Sequence, residues 1–401
     1  MTGEVVQGYR RPNGEVGIRN VLLVLPVAQC ANELAVRCAS GIDGAFPLLT
    51  TQPCAHLGED NEAAKNCLIG WGRNPNAAAV LVLGIGCDAI AADEVADAVR
   101  ETGKPVTCLT LDRCESWERV VGSGRCWLID QARAVRGMVR EAVDIADLTL
   151  GIKCGGSDAT SALAGNPAIG GVVDRWIDAG GTVVFSETTE LIGAEHLLMA
   201  RAASENVRDD IENVVTATIE RIEATGVDPR GTQPTPGNIR GGLTTLEEKS
   251  LGGVLKTGTR PIRSVFPWGG RPMGPGLHLM DCPANVPQLL LGWAAAGAQC
   301  LLFSVGGGLP ARIPSLIGTN VGGIPLLPIV KILSNPRELD ARAYFDIYAG
   351  GVLEGTETMD GVGDRIWQKT LATASGEHTW LERYPLQGIQ MWELLVRGPT
   401  V

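Results

Sequence analysis

Ala79-Val80-Leu81-Val82-Leu83-Gly84-Ile85-Gly86 is the stretch that decides the fold. A short, unbroken apolar run ending on glycines reads as a strand buried on both faces. Residues 93–100 then carry the spacing of an amphipathic helix, Gly103-Lys104-Pro105 stops it, and residues 106–111 resume as a strand. Upstream, residues 20–27 (Asn-Val-Leu-Leu-Val-Leu-Pro-Val) form another apolar run, and residues 30–38 space Leu34, Ala35 and Cys38 as a helix does. Strands that alternate with helices predict a parallel sheet covered on both faces. Residues 125–147 read as one long helix leading out of this unit.

Near Leu148 the alternation starts again. Residues 148–153, 182–186, 300–305 and 327–333 read as strands; residues 167–179, most of 191–227, and 286–296 read as helices. Residues 228–282 are rich in Gly and Pro and show little periodicity, which predicts a long irregular segment shaping a site. The fold class expected is α/β. Two parallel-sheet-containing domains, residues 1–147 and 148–401, bring strand-end loops together in a shared active site.

The 401 residues include 45% apolar and 20% charged residues, enough to bury a core. The formal charge of -11 opposes binding to nucleic acid or an acidic membrane. No run of roughly 18 apolar residues appears, and Met1-Thr2-Gly3-Glu4 lacks an export signal, so a soluble cytoplasmic protein is expected. With no export signal, an odd count of 11 cysteines predicts free thiols, some of them metal ligands, over disulfides.

Four segments carry candidate chemistry. Gly84-Ile85-Gly86-Cys87-Asp88-Ala89 follows a strand as a dinucleotide fingerprint does, but that strand is not the first of its unit and the acid ending the next strand, Asp112, lies too far along. A tight turn is preferred to a nicotinamide-dependent oxidoreductase. Lys153-Cys154-Gly155-Gly156-Ser157-Asp158-Ala159-Thr160-Ser161 follows another strand, and its glycines would let backbone approach an anion; Asn166-Pro167 then starts a helix with Asn166 as cap. The competing reading is a plain capped turn. Ser186-Glu187-Thr188-Thr189-Glu190 leads to Glu195-His196, and carboxylates beside an imidazole suit iron, manganese or an acid–base pair; solvated capping acids are the alternative. In residues 236–250, Thr244 or Thr245 with Glu248 marks a helix start, and Lys249 could face a carboxylate. His56 and His196 stand out from His278 and His378 because acids and glycines flank them. Cys54, Cys87 and Cys154 all fall at strand ends and could converge, whereas Cys38, Cys67 and Cys300 read as core.

The chain resembles the altronate/galactarate dehydratase family. The likeness runs from Gly8-Tyr9-Arg10-Arg11-Pro12-Asn13-Gly14-Glu15-Val16-Gly17-Ile18-Arg19-Asn20 through Arg73-Asn74-Pro75-Asn76 and Gly84-Ile85-Gly86-Cys87. It is strongest at Cys154–Asp158, Asn166-Pro167, Ser186–Glu190, Gly193–His196, and from Pro236-Gly237-Asn238 through Ser250-Leu251-Gly252. Thr50 stands where the family has a histidine. The family's small extra N-terminal domain is not expected here, since the opening motif begins at Gly8. That layout is similar to the large subunit of sulfolactate sulfo-lyase and implies a separate small subunit.

The resemblance implies β-elimination from a small anionic 2-hydroxy acid: water leaves a sugar acid or, alternatively, sulfite leaves sulfolactate, giving a 2-oxo acid. Such a site needs a base, a cation for the enediolate, and an acid or metal at the leaving group. The expected catalytic residues are His196, Glu195, Lys249 and His56. Lys153, Gly155, Gly156, Ser157, Asp158, Asn166, Asn238, Thr244 and Thr245 would bind substrate. Cys154, Glu187, Glu190 and Cys87 would hold a divalent metal, iron first and manganese second. A homo-oligomer is also expected.

Overall fold

The computed structural model describes residues 4–228, 230, 233–307, 323–337, 339–383 and 393–398. The chain opens with β1 (Val5–Arg10), β2 (Val16–Gly17) and β3 (Val21–Pro26), followed by α1 (Asn32–Ala39), β4 (Ala45–Pro47), α2 (Glu59–Arg73), β5 (Ala77–Gly84), α3 (Ala92–Arg100) and β6 (Val106–Thr110). Strands β4-β3-β5-β6 form a parallel sheet in that order. All of β3 is buried, and its side chains divide by parity: Val21, Leu23 and Leu25 join one core with Leu68, Trp71 and Val95, while Leu22 and Val24 join another with Leu34, Cys38 and Leu128. The period of two therefore serves two helical layers at once.

Beyond α4 (Leu111–Cys114), α5 (Trp117–Arg136) starts where Ser116 accepts a hydrogen bond from Arg119 N (3.3 Å). The single helix expected over residues 125–147 is corrected here. It ends at Gly137, and β7 (Glu141–Asp144) pairs antiparallel with β1, which pairs with β2 on its other side. Ladder bonds to a strand some 130 residues away override the local helical pattern.

The second unit contains β8 (Thr149–Gly155), α6 (Asn166–Asp178), β9 (Thr182–Phe185), α7 (Glu195–Met199), α8 (Glu205–Glu223), α9 (Pro236–Arg240), α10 (Leu246–Val254), β10 (Ile262–Pro267), β11 (Gly276–Asp281), α11 (Val286–Ala295), β12 (Cys300–Val305), β13 (Ile329–Leu333), β14 (Ile347–Tyr348) and α12 (Met359–Ala374). Its sheet runs β10-β11-β9-β8-β12-β13-β14, parallel throughout. The described residues of 228–282 are thus largely built into regular elements, against expectation. Thr235 and Asn238 form a capping box for α9, Thr245 caps α10, and two strands follow. Residues 229, 231 and 232 of that stretch lie outside the described residues. Asn166 is not a cap either: a π-turn (Ser161–Gly165) runs straight into α6, and Asn166 Nδ2 donates to Gly252 O (2.8 Å). Among the described residues no helix is long and apolar enough to cross a membrane.

The two α/β units share one core. α2 packs on α11 so closely that a Cβ on Gly70 would sit 2.8 Å from Ala295, and Trp71 Nε1 donates to Leu291 O (3.0 Å). Asn76, fully buried, ties three segments: its Nδ2 donates to Gln299 O and Leu326 O (2.9 Å each), and its Oδ1 accepts from Ile18 N (2.7 Å) and Arg19 N (3.1 Å). Asn76→Ala would strand four buried backbone groups and should cost about 3 kcal/mol. Urea unfolding should show the loss as a lower midpoint at unchanged slope, with exposed Asn206→Ala near wild type.

Candidate active site

In a parallel α/β sheet, ligands bind beyond the carboxyl ends of strands where the winding reverses. In the seven-stranded sheet β8 occupies that place, with β9 on one side and β12 on the other. Its last turn presents Lys153 and Cys154. Glu187 follows β9, the 3₁₀ turn Thr188–Glu190 supplies Glu190, α10 supplies Lys249, and the turn Leu255–Thr257 supplies Lys256. Glu187 adopts a left-handed backbone (φ +75°), costing roughly 1–2 kcal/mol for a residue with a Cβ. Its neighbours fix that turn: Ser186 Oγ donates to Met280 O (2.7 Å), and Thr188 Oγ1 donates to Asp281 Oδ1 (2.9 Å).

The carboxylate of Glu187 is fully buried between two ammonium groups, Lys153 Nζ at 2.5 Å and Lys256 Nζ at 3.0 Å, and also accepts from Cys154 N (3.2 Å). Lys256 Nζ also reaches Cys154 Sγ (3.4 Å) and Gly253 O (3.1 Å). Glu190 lies nearer the rim. Its Oε1 pairs with Lys249 Nζ (2.9 Å), its Oε2 faces Cys154 Sγ (3.7 Å), and Lys249 also donates to Gln233 Oε1 (2.8 Å). Burial alone would raise the Glu187 pKa, but Lys153 and Lys256 outweigh it and hold the carboxyl at about 2. Desolvation works against Lys153 and Lys256 as well, and the surrounding anions overcome it, raising both. Burial pushes the Cys154 thiol up to about 11 although Lys256 pulls the other way.

One donor atom from each of Cys154, Glu187 and Glu190 lies within 4.8 Å of the others, a possible metal-binding triad consistent with a divalent ion. The donors are of types such ions accept, but three ammonium groups already pair with the two carboxylates. An incoming ion must compete with them and take the proton of Cys154.

The structure separates the other expected residues. Cys87 is exposed at the end of β5 and takes no part in this triad. His196 is exposed on α7, beyond the turn at Gly193 (φ +86°); Glu195 is half-buried, its Oε2 without a hydrogen-bond partner among the described residues. His56 is buried in the loop before α2, where desolvation lowers its pKa and Asp60 opposes the shift.

Several expected substrate ligands also lock loops. Asp158 accepts from Ser161 N, Thr160 Oγ1, Gly307 N and Asn335 Nδ2; Asn238 Nδ2 donates to Ser157 O; Thr244 donates to Glu248. Thr245 is consumed as a cap, and a Cβ on Gly155 would meet the Phe303 ring at 2.9 Å. Gly156 keeps the left-handed turn its type suits (φ +54°). The fingerprint-like turn spends the amides of Ile85 and Gly86 on its own Asp88 Oδ2 (2.7 and 3.1 Å), leaving them unavailable to a phosphate. Sequence reasoning passed over Lys256. Its signal was a lone lysine in the otherwise apolar and small run Gly252-Gly253-Val254-Leu255.

Comparison with known proteins bears on this arrangement. The family described as D-galactarate/Altronate dehydratase, C-terminal, matches residues 145–397, and D-galactarate dehydratase/Altronate hydrolase, second domain, matches residues 8–135. The chain belongs to the D-galactarate/altronate dehydratase family and is an enzyme of the lyase class. It is 36% identical to the (2R)-sulfolactate sulfo-lyase subunit beta of Chromohalobacter salexigens, over 94% of this chain and 95% of that one. It is 34% identical to the altronate dehydratase of Escherichia coli K12 (94% and 75%) and 34% identical to that of Bacillus subtilis 168 (86% and 69%).

The charge cluster makes a prediction about acid stability. A carboxyl whose folded pKa lies below its unfolded value of about 4.3 stabilises the fold above that value and ceases to do so as pH falls toward the folded one. Glu187→Gln should cost on the order of 3 kcal/mol at pH 7 by stranding two buried ammonium groups. The gap between variant and wild type in urea midpoints should narrow as the pH drops from about 5 toward 2.

Proposed function

We propose that the enzyme dehydrates a sugar acid, or a related small 2-hydroxy carboxylate, by β-elimination to a 2-oxo acid. The observation that carries this reading is the convergence of Lys153, Lys256 and Lys249 on Glu187 and Glu190 at the winding reversal of the sheet. Removing the proton from C2 places a second negative charge beside the substrate carboxylate. Fixed cations in a dry site lower the barrier to that step most effectively.

Lys249 and Glu190 are the members of the cluster nearest solvent, at 7% and 8% exposure, whereas Glu187 and Lys256 are sealed beneath them. In this reading Glu190 accepts the C2 proton while Lys249 donates one to the departing hydroxyl, so that water leaves. The pair then regains its starting charges by a proton transfer across their 2.9 Å contact. Lys153 and Lys256 hold Glu187 ionised and keep the floor of the site positive. Cys154, Glu187 and the Glu190 oxygen that faces Cys154 would hold the divalent ion, iron first and manganese second, leaving the Glu190 oxygen beside Lys249 for the proton; such an ion would supply Lewis-acid stabilisation of the enediolate. His196, Glu195 and His56 are left outside this proton path.

A second reading, release of sulfite from sulfolactate, is favoured by the end-to-end match to a sulfo-lyase subunit. That relative's name, which calls it subunit beta, also supports a separate partner subunit. A cytoplasmic homo-oligomer divided near residue 147 completes the proposal.

The test is an anaerobically purified, iron-supplied enzyme, with any small partner subunit added, assayed for 2-oxo acid over sugar acids and sulfolactate. Silence across that panel would defeat both readings, and sulfite in place of water loss would select the second. Glu190→Gln should lower kcat by about 10²–10⁴-fold on either substrate class. Lys249→Met should slow dehydration by about 10²–10³-fold and slow sulfite release less, because sulfite leaves without a proton donor.

A further inference from the structure

The four-stranded sheet has a winding reversal of its own, and the proton path uses none of it. The chain passes from β3 to β4 on one side, then returns to place β5 on the other. The crevice this creates at the carboxyl end of β3 is where such sheets bind ligands. Three cysteines stand on the loops that leave those strands: Cys30 after β3, Cys54 after β4 and Cys87 after β5. All three are exposed and free, although cysteine is among the residues most often buried. Cys30 interacts electrostatically with Cys54, Asp88 and Cys87, so the three thiols share one neighbourhood with a carboxylate.

The loops carrying them are laced together. Val27 N donates to Leu83 O (2.9 Å), joining the Cys30 loop to the end of β5. Gln29 N donates to Gln52 O (2.7 Å), joining it to the Cys54 loop, and Ala89 N donates to Cys54 O (3.0 Å), closing the ring through the Cys87 loop. Asn32 grips Thr50 from both sides, donating to its carbonyl (2.9 Å) and accepting from its amide (3.2 Å). Gln52, two residues from Cys54, is 1% exposed, and neither polar atom of its side chain has a partner among the described residues. A rigid rim with three soft, anionic-capable donors and an unspent buried amide beside it is built for a ligand.

The sulfur spacing narrows the chemistry. Among the described residues, only the Cys154 group brings three donor atoms all within 4.8 Å of one another, so the three thiols, although Cys30 and Cys54 are hydrogen-bonded neighbours, do not all converge on one point as that group does. They are also odd in number, so a disulfide would leave one over. A metal–sulfide cluster spans a wider gap, with each thiolate on a different iron. We infer that Cys30, Cys54 and Cys87 hold an iron–sulfur cluster of the four-iron type, with one iron left open to a ligand that is not a protein thiolate. Two ferrous and two ferric ions, four sulfides and three thiolates balance such a cluster, the thiol protons passing to solvent. The inference stands apart from the lyase reading, because its readouts are spectroscopic and chemical.

The full chain would be reconstituted anaerobically with equal ferrous and ferric iron and sulfide, then desalted. Wild type and Cys126→Ser, which alters an exposed thiol on α5, should each retain about four acid-labile sulfide, and about four more iron than the triple serine variant, with a broad visible charge-transfer band. Cys30→Ser, Cys54→Ser and Cys87→Ser should each lose the band. In reconstituted wild type, mass spectrometry after alkylation should find Cys30, Cys54 and Cys87 protected and Cys126 labelled, a readout that does not depend on any variant folding. Iron retained without sulfide, a cluster that survives in the triple serine variant, or equal labelling of all four thiols would overturn the assignment.

Discussion

A carboxylate sealed from water between two lysines constrains this structure more than any other single contact. Burying Glu187 unpaired would cost several kcal/mol, and so would burying Lys153 or Lys256 alone. Together they are tolerable only if β8, the turn after β9 and the turn after α10 arrive in one register. The left-handed backbone at Glu187 belongs to the same bargain, since it bends the carboxylate back beneath the end of β8. The gain is a fixed positive field rather than stability, because a buried ion pair seldom stabilises a fold more than apolar packing would.

Both sheets repeat one device. Each reverses its winding about a central strand, β3 in one and β8 in the other, and each places its chemistry-bearing residues at that strand's carboxyl end. What differs is the donor set. One crevice gathers hard carboxylates and ammonium groups in a buried setting, and the other gathers soft thiols on an exposed rim. The shared core, with α2 against α11 and Asn76 stitched across three segments, packs the two units against one another.

The parallel strands were legible in the sequence because burial on both faces leaves an unbroken apolar run, as in β3, β5 and β12. Glu187, Glu190, Cys154 and Lys249 were also picked out, since polar residues crowding a strand end have few structural uses. Three things were hidden. The strand β7 reads as the tail of a helix because its partner β1 lies at the far end of the unit. Cys87 was grouped with Cys154 because a linear pattern tells that a residue ends a strand, not which sheet owns the strand. The structural roles of Asp158, Asn166 and Thr245 were hidden because the polar side chains that can recognise ligands are the same ones that satisfy turns and caps.

An anionic substrate approaching a protein of charge -11 meets a repulsive surface, yet the local balance at the cluster is the reverse. Three lysine side chains face two carboxyl groups there, and burial holds the Cys154 thiol above its ordinary range. The surface charges act through water and salt, which screen them beyond about 10 Å. The cluster acts at contact distance from within a poorly screened interior, where a single charge outweighs many remote ones. Distributing that charge over three lysines has a further consequence. Each lysine is already held against its carboxylate partner, so little reorganisation would be needed for the cluster to meet an added negative charge.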